Sequence, residues 1–279
     1  MTPISKLPAR LSVEDLEEYR RVGPAFGKLL TSIYQEVLTG KLLTGEEVRI
    51  FFEWSASKIT NRASFPFVTQ LNQYSEAFGY SICSSLNNCV AHGRPDKKKF
   101  KPDDIVSLDF GLAIPSKTHP ARNLHFDAAF TICKRDNEQR LVKAPLDFLK
   151  AVLKYTNQGY RSTIYKLWVE NVCSKYDVCS FNVVNDLCGH SIGYSLHEEP
   201  LFPNLSLLSE EYPCPSPDTV ICLEPMLTDG YNCNVANVYV DSDGWSVMAE
   251  KPASHWETMF LIKKDGSLTD LLGLTRIGE

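Results

Sequence analysis

An eight-residue frame occurs twice in this chain, as HFDAAFTI at 125–132 and HWETMFLI at 255–262. Each copy reads histidine, aromatic, acid, two variable residues, phenylalanine, one variable residue, isoleucine. A second echo stands upstream of each copy: DDIVSLDFG at 103–111 and DTVICLEPM at 218–226, both an acid, then aliphatic residues, then leucine followed by an acid. All four segments alternate as strands do. Ile105, Ser107, Asp109 and Gly111 point one way, and Val106, Leu108, Phe110 and Leu112 the other. In the next strand His125, Asp127, Ala129 and Thr131 share a face, opposed by Leu124, Phe126, Phe130 and Ile132. Val220, Cys222 and Glu224 share a face, as do His255 and Glu257, with Trp256, Phe260 and Ile262 mostly opposite. A chain built this way presents an acid from one side of each of four strands while the other side builds core.

The remaining segments fit around these strands. Residues 12–40 read as a helix with Ser12 and Asp15 as a capping box, Gly40 as its stop and Pro24 as a kink or division. Residues 44–63 read as a second helix, and 146–176 as a helical pair interrupted near Gly159. GYSICSSLNNCVAHG (79–93) alternates loosely, PSKTHPARN is a polar loop between the first two acid-bearing strands, and KKDGS (263–267) is a turn. The order is helices, two acid-bearing strands, helices, two acid-bearing strands. The expectation is a duplicated α/β half folded about a pseudo-twofold axis, with the repeated strands meeting at a shared centre.

With 279 residues, 43% of them hydrophobic, the chain can bury a large core as one domain or two fused halves. The net charge of −5 leaves no basic footprint for nucleic acid. No apolar run approaches the ~20 residues of a membrane span, and MTPISKLPARL lacks the charged head and apolar run of a secretory leader. The nine cysteines include no CxxC pair and no regular spacing, which argues against a disulfide framework or a thiolate zinc site. They read as small buried residues in a reducing cytosol.

Four carboxylates at one interior centre repel one another, and each is pushed toward its neutral form. Two divalent ions balance their charge, and oxygen-rich ligation suits Mn²⁺, Fe²⁺ or Co²⁺. Of only six histidines, His125 and His255 stand two positions before acids, His92 lies in CVAHGRP, and His190 and His197 lie in LCGHSIGYSLHEEP; His119 falls in the polar loop and reads as solvated. Taken singly, each acid also reads as a solvated, capping or turn residue, and His190 as a structural histidine.

In this order and spacing the segments SSLNNCVAHGRP, DDIVSLDFG, HFDAAF, CGHSIGYSLHEEP, TVICLEPM, DGWSV and HWETMF resemble the type I methionine aminopeptidases. The resemblance runs from about residue 12 onward. It implies an α+β pita-bread fold, with two pseudo-twofold-related halves forming a curved antiparallel sheet and helices outside. Residues 1–11 would be a tail and 12–279 one catalytic domain, divided near 140. It further implies Asp109, Asp127, His190, Glu224 and Glu257 as ligands of two divalent ions (Co, Mn or Fe), with Asp127 and Glu257 bridging. A hydroxide shared by the ions would attack the carbonyl after an initiator methionine. Glu224 would carry the proton to the leaving amine, His197 would donate to the carbonyl oxygen, and His92 would hold the scissile amide. Phe78, Cys83, Leu196 and Trp245, with His92 and His197, would bind the substrate. A small second residue would be preferred. The implied partners are the N-termini of nascent polypeptides, at the ribosome. The chain is expected to be monomeric and cytoplasmic, with no nucleic-acid or membrane partner.

Three residues depart from the family pattern: Ala128 stands where threonine is usual, Leu196 where an aromatic is usual, and Ser191 where glycine is usual in GHSIG. The 109–127 loop reads as longer than usual. No long insertion separates His190 from Glu224, which argues against the type II subclass, and no Cys/His-rich segment precedes residue 12. Two alternatives share the fold: an Xaa-Pro peptidase with the same five ligands, and a non-catalytic binding protein of the kind found among chromatin- and RNA-associated relatives. CVAHGRP and LEPM speak against the first; the complete ligand set and negative charge speak against the second.

Overall fold

The computed structural model describes residues 10–137, 139–157, 181–204, 216–230 and 235–278. The first helix, α1 (Val13–Leu38), is capped by Ser12, whose hydroxyl accepts from the Asp15 backbone N–H at 3.0 Å. Pro24 lies inside α1 and does not divide it. One lost ladder bond is outweighed by a continuous buried face of Tyr19, Val22, Phe26, Leu30, Ile33, Tyr34 and Val37. Leu11, read as tail, is already buried in the core. The second helix, α2 (Gly45–Ile59), is capped by Thr44 and stops short of the expected residue 63. Thr60 is extended there, and its hydroxyl accepts from the Arg62 N–H at 3.3 Å, a local bond that competes with the helix. The third helix, α3 (Arg140–Asn157), begins earlier than residue 146, because Leu141, Val142 and Ala144 join its buried face. The rest of the expected pair, 158–176, lies outside the described residues.

The loosely alternating segment resolves into two strands, β1 (Ile82–Leu86) and β2 (Cys89–Ala91), turned by Asn87 at φ 56°. The strands β3 (Ile105–Pro115) and β4 (Asn123–Cys133) form an antiparallel ladder of eleven residue pairs, with β1 on the outer edge of β3. Much of 109–127 is therefore strand, and the connecting loop is only 116–122. That loop is tied down. The Asp15 carboxylate accepts from the Ser116 hydroxyl, the Lys117 N–H and the Thr118 hydroxyl, and from the Tyr194 hydroxyl at 2.6 Å. His119 is exposed but not merely solvated: its Nδ1 lies 2.9 Å from the Thr118 hydroxyl, and its ring stands edge-on to Tyr194.

The second half of the chain supplies β5 (Phe181–Val183), β6 (Cys188–Ile192), β7 (Glu198–Pro203), β8 (Val220–Leu223), β9 (Met226–Asp229), β10 (Val238–Val240), β11 (Val247–Ala249), β12 (Ala253–His255), β13 (Thr258–Ile262) and β14 (Leu268–Asp270). They form a five-stranded sheet in the order β14-β13-β8-β6-β7 and two three-stranded sheets, β12-β9-β5 and β10-β11-β2. Every pairing between these named strands is antiparallel.

The repeated frame does the same structural work in both copies. Phe126 packs under α1, its ring centroid 4.8 Å from that of Tyr19. Trp256 packs under α3, its indole N–H donating to the Val142 carbonyl at 2.8 Å. Truncating a buried ring of this kind costs about 3–5 kcal/mol, so the aromatic fixes which way each strand faces. The next residue, Asp127 or Glu257, must then point to the other side; a one-residue slip would exchange ring and carboxylate.

The acid-bearing face is also buried. Ser107 and Thr131 share a hydrogen bond at 2.8 Å, and Thr131 both accepts from the His255 N–H and donates to the His255 carbonyl. Ala129 lies opposite Asp109 on one side and exchanges backbone hydrogen bonds with Glu257 on the other. A methyl group at that station lets carboxylates from the two halves of the chain converge above it. Gly27 of α1 permits an equally close approach: a Cβ there would lie 1.8 Å from the Leu272 carbonyl oxygen.

Candidate metal centre

One cavity gathers chain segments that are distant in sequence. It is lined by Asp109 from β3, Asp127 from β4, His190 from β6, Glu224 just after β8 and Glu257 between β12 and β13. His92 follows β2 at φ 58°, and His197 immediately precedes β7. Phe78, Cys83 and Trp245 complete the walls, together with Phe67, Gln70, Met226 and His255. The volume is about 50 Å³, several times the ~10–15 Å³ one water needs on that measure.

The carboxylates lie close together and buried. Ligand atoms of Asp109, Asp127 and Glu257 lie within 4.8 Å of one another, as do those of Glu224, His255 and Glu257. Asp109 Oδ1, Asp127 Oδ1 and Glu257 Oε1 are buried with no hydrogen-bond partner. Burial raises the Asp109 pKa to about 7. Asp127 is pushed well above the carboxylate range by burial and then by Glu257 and Asp109. Glu224 and Glu257 are raised in the same way, by burial and then by their acidic neighbours. Left without a cation, the site is electrostatically unfavourable at neutral pH.

Burial keeps the cavity histidines neutral. Burial lowers His190 and His92 to about 4 and His255 to about 3, and holds His197 well below the usual imidazole range. His190 Nδ1 lies 3.0 Å from the Ser191 carbonyl oxygen, which can only accept, so the proton sits on Nδ1. Its Nε2 therefore presents a lone pair to the cavity, 3.7 Å from Glu224 Oε1 and from Glu257 Oε1. Oxygen-rich donors, one bare imidazole nitrogen and three unpartnered carboxylate oxygens fit a divalent cation.

Several expectations change. Leu196 is buried in the core and is not among the cavity walls. Ala128 lies on the opposite face from Asp127, in the core beside Phe110, so a hydroxyl there would not reach the carboxylates. Ser191 is buried and donates to the Pro200 carbonyl at 3.4 Å. The two echoed histidines differ: His255 lines the cavity with Nε2 unpartnered, whereas His125 is held at the Gly193 carbonyl, away from it. Met226, Phe67 and Gln70 were not anticipated as walls. Met226 was within reach of strand alternation, two residues after Glu224; the short 3-10 turn at Pro66–Thr69 gives no comparable signal.

Residues 19–264 match the model of metallopeptidase family M24. The chain belongs to that family. Membership implies divalent metal ions at a donor set of the kind described. Among its relatives, a methionine aminopeptidase of Treponema pallidum is 31% identical over 178 residues, which is 63% of this chain and 64% of the relative. A methionine aminopeptidase of Clostridium perfringens is 28% identical over 262 residues, 90% of this chain and 94% of the relative. The crystal structure of methionine aminopeptidase from Thermotoga maritima superimposes with a TM-score of 0.70 at 23% identity, covering 95% of this chain and 99% of that one. The M24 chain thus has the pita-bread fold, α+β with antiparallel sheets.

Proposed function

We propose that this M24 chain is a metal-dependent aminopeptidase that removes the N-terminal methionine from polypeptides with a small second residue. The observation that carries the reading is the set of unpartnered, buried carboxylate oxygens facing His190 Nε2 across one cavity. Asp109, Asp127, His190, Glu224 and Glu257 would hold two divalent ions (Mn, Fe or Co), whose chemistry when bound is to polarise a carbonyl and lower the pKa of water toward neutrality.

The chain's own groups have separable tasks. Glu224 is more accessible than Glu257, with 12% against 3% side-chain exposure, and it takes the proton of the attacking water and delivers it to the leaving amine. His197, its ring 4.6 Å from that of His190, donates to the carbonyl oxygen as charge develops. His92 holds the scissile amide. Phe78 and Trp245, with ring centroids 5.0 Å apart, close an apolar pocket with Cys83, Met226 and Phe67 around an unbranched thioether side chain. The enclosed shape favours a short second residue. The substrates would be emerging polypeptides at the ribosome, the working place the cytoplasm and the working form a monomer.

The names of the relatives favour methionine over the Xaa-Pro alternative, and a donor set without gaps favours catalysis over a binding role. A panel of Met-Xaa and Xaa-Pro peptides, assayed with added Mn²⁺, Fe²⁺ or Co²⁺ alongside metal stoichiometry, decides the matter. Cleavage of Met-Ala peptides alone is expected; cleavage of Xaa-Pro peptides alone would reverse the assignment. His197→Ala is expected to slow turnover by about 10²–10³, the scale of losing one oxyanion donor; an unchanged kcat removes His197 from the mechanism.

A further inference from the structure

We propose that Cys222 is a thiolate donor at this centre, binding a soft divalent ion such as Zn²⁺ or Cd²⁺ together with His190 and Glu257. The inference rests on the metal-centre reading above and adds a ligand to it. Cys222 is fully buried in β8 and lies directly opposite His190 in the β6–β8 ladder. It precedes Glu224 by two residues, so strand alternation puts both on one face of β8; Cys222 itself is packed in the core and is not among the cavity walls. Its sulfur, a His190 nitrogen and a Glu257 oxygen all lie within 4.8 Å of one another.

Two further observations point to a ligand rather than a packed thiol. Glu257 is 3% exposed and its Oε1 has no hydrogen-bond partner. His190 offers a bare Nε2, because Nδ1 is committed to the Ser191 carbonyl. Other buried cysteines bond elsewhere: Cys89 and Cys133 donate to the backbone carbonyls of Ala91 and Pro102, whereas the Cys222 thiol meets the Glu257 carboxylate. One thiolate, one imidazole and one carboxylate, with water in the fourth position, make a tetrahedral set suited to zinc. Two ligand sets therefore share His190 and Glu257. The carboxylate-rich set selects hard ions, and the sulfur-containing set selects soft ones. On binding, the thiol proton leaves for water and a sulfur–metal bond forms, with no change of oxidation state.

The test uses the purified full-length protein, stripped of metal and titrated with Co²⁺, Mn²⁺ and Cd²⁺. The wild type is expected to develop the near-ultraviolet sulfur-to-cobalt charge-transfer band. Cys222→Ser should lose it, and Cys83→Ser, altered in the cavity wall, should keep it. Cys222→Ser should also weaken Cd²⁺ binding by roughly tenfold or more, at least the lower end of what an outer partner of a ligand contributes, without weakening Mn²⁺ binding. Cadmium NMR of the wild type gives a readout that needs no variant: a sulfur-ligated resonance supports the proposal, and a purely oxygen- and nitrogen-ligated one overturns it. Mn²⁺ and Co²⁺ binding without the sulfur band overturns the thiolate and leaves the carboxylate centre standing. Failure to bind any of the ions overturns the centre, and the inference with it.

Discussion

Asp109→Ala reduces cleavage of a Met-Ala peptide to background while leaving the chain folded. Asp109 lies on a strand whose other face is packed against phenylalanines, and its carboxylate contributes to the cavity rather than to the core. The substitution removes one of four acids whose charges oppose one another. Without metal, the variant should therefore melt no lower than the wild type. With metal, the ordering reverses. A bound ion stabilises the folded state in proportion to RT ln(1 + [L]/Kd), and weaker binding shrinks that shift. Glu224→Gln keeps the shape of the side chain, removes its charge and removes the proton acceptor, so it should lose activity as well. Both losses should exceed the roughly 10–100-fold typical of disturbing an outer partner of a ligand. Melting curves with and without Mn²⁺, read beside peptide hydrolysis, check both signs. Full activity in either variant refutes the assigned centre.

What could be read in the sequence was whatever two-residue periodicity carries. The strands holding Asp109 and Asp127, and the strand ends that place Glu224 and Glu257, were legible because each alternates a ring or aliphatic side chain with a small or acidic one, and because the frame at His125 repeats at His255. Pairing was less accessible. The stitch through Ala129, which brings Asp109 and Glu257 to either side of one methyl group, depends on register between strands far apart in the chain. Walls from irregular segments were not legible, since Phe67 and Gln70 lie in or beside a short 3-10 turn. Pro24 misled because a local penalty was read without the long buried face that offsets it. Leu196 misled because position relative to a motif does not say which way a side chain turns once the chain leaves a strand. Cys222 sat on the legible face throughout, but a cysteine between aliphatic residues reads as core until its neighbours are known.

The chelated protein is expected to lose stability as the pH rises through neutrality. The sign follows from which state holds more protons. Burial raises the Asp109 pKa from 3.8 to about 7, so between those values the folded chain keeps a proton that the unfolded chain has lost, and stability falls as pH rises through the window. Asp127, Glu224 and Glu257 are raised by burial and by one another, which extends the fall above neutrality. The histidines act in the opposite direction and lower down. Burial puts His190 and His92 at about 4 and His255 at about 3, so between there and the ordinary 6.5 the unfolded chain takes up protons that the folded chain refuses. Their contribution to stability is lost as the pH falls through that range and opposes the gain from the carboxylates. Above about 7 the histidines no longer titrate, and the raised carboxylates, joined at higher pH by the thiols of Cys83, Cys188 and Cys222 that burial also raises, all act in the same direction. The chelated protein should then show a loss of stability from pH ~6.5 to pH ~8.5. Saturating Mn²⁺ should abolish or reverse it, because the cation favours the ionised carboxylates that the empty cavity disfavours. Urea denaturation with chelator and with Mn²⁺ at both pH values measures the difference. A chelated protein more stable at pH ~8.5 than at pH ~6.5 would mean that the acids do not share the buried cavity from which the whole functional reading starts.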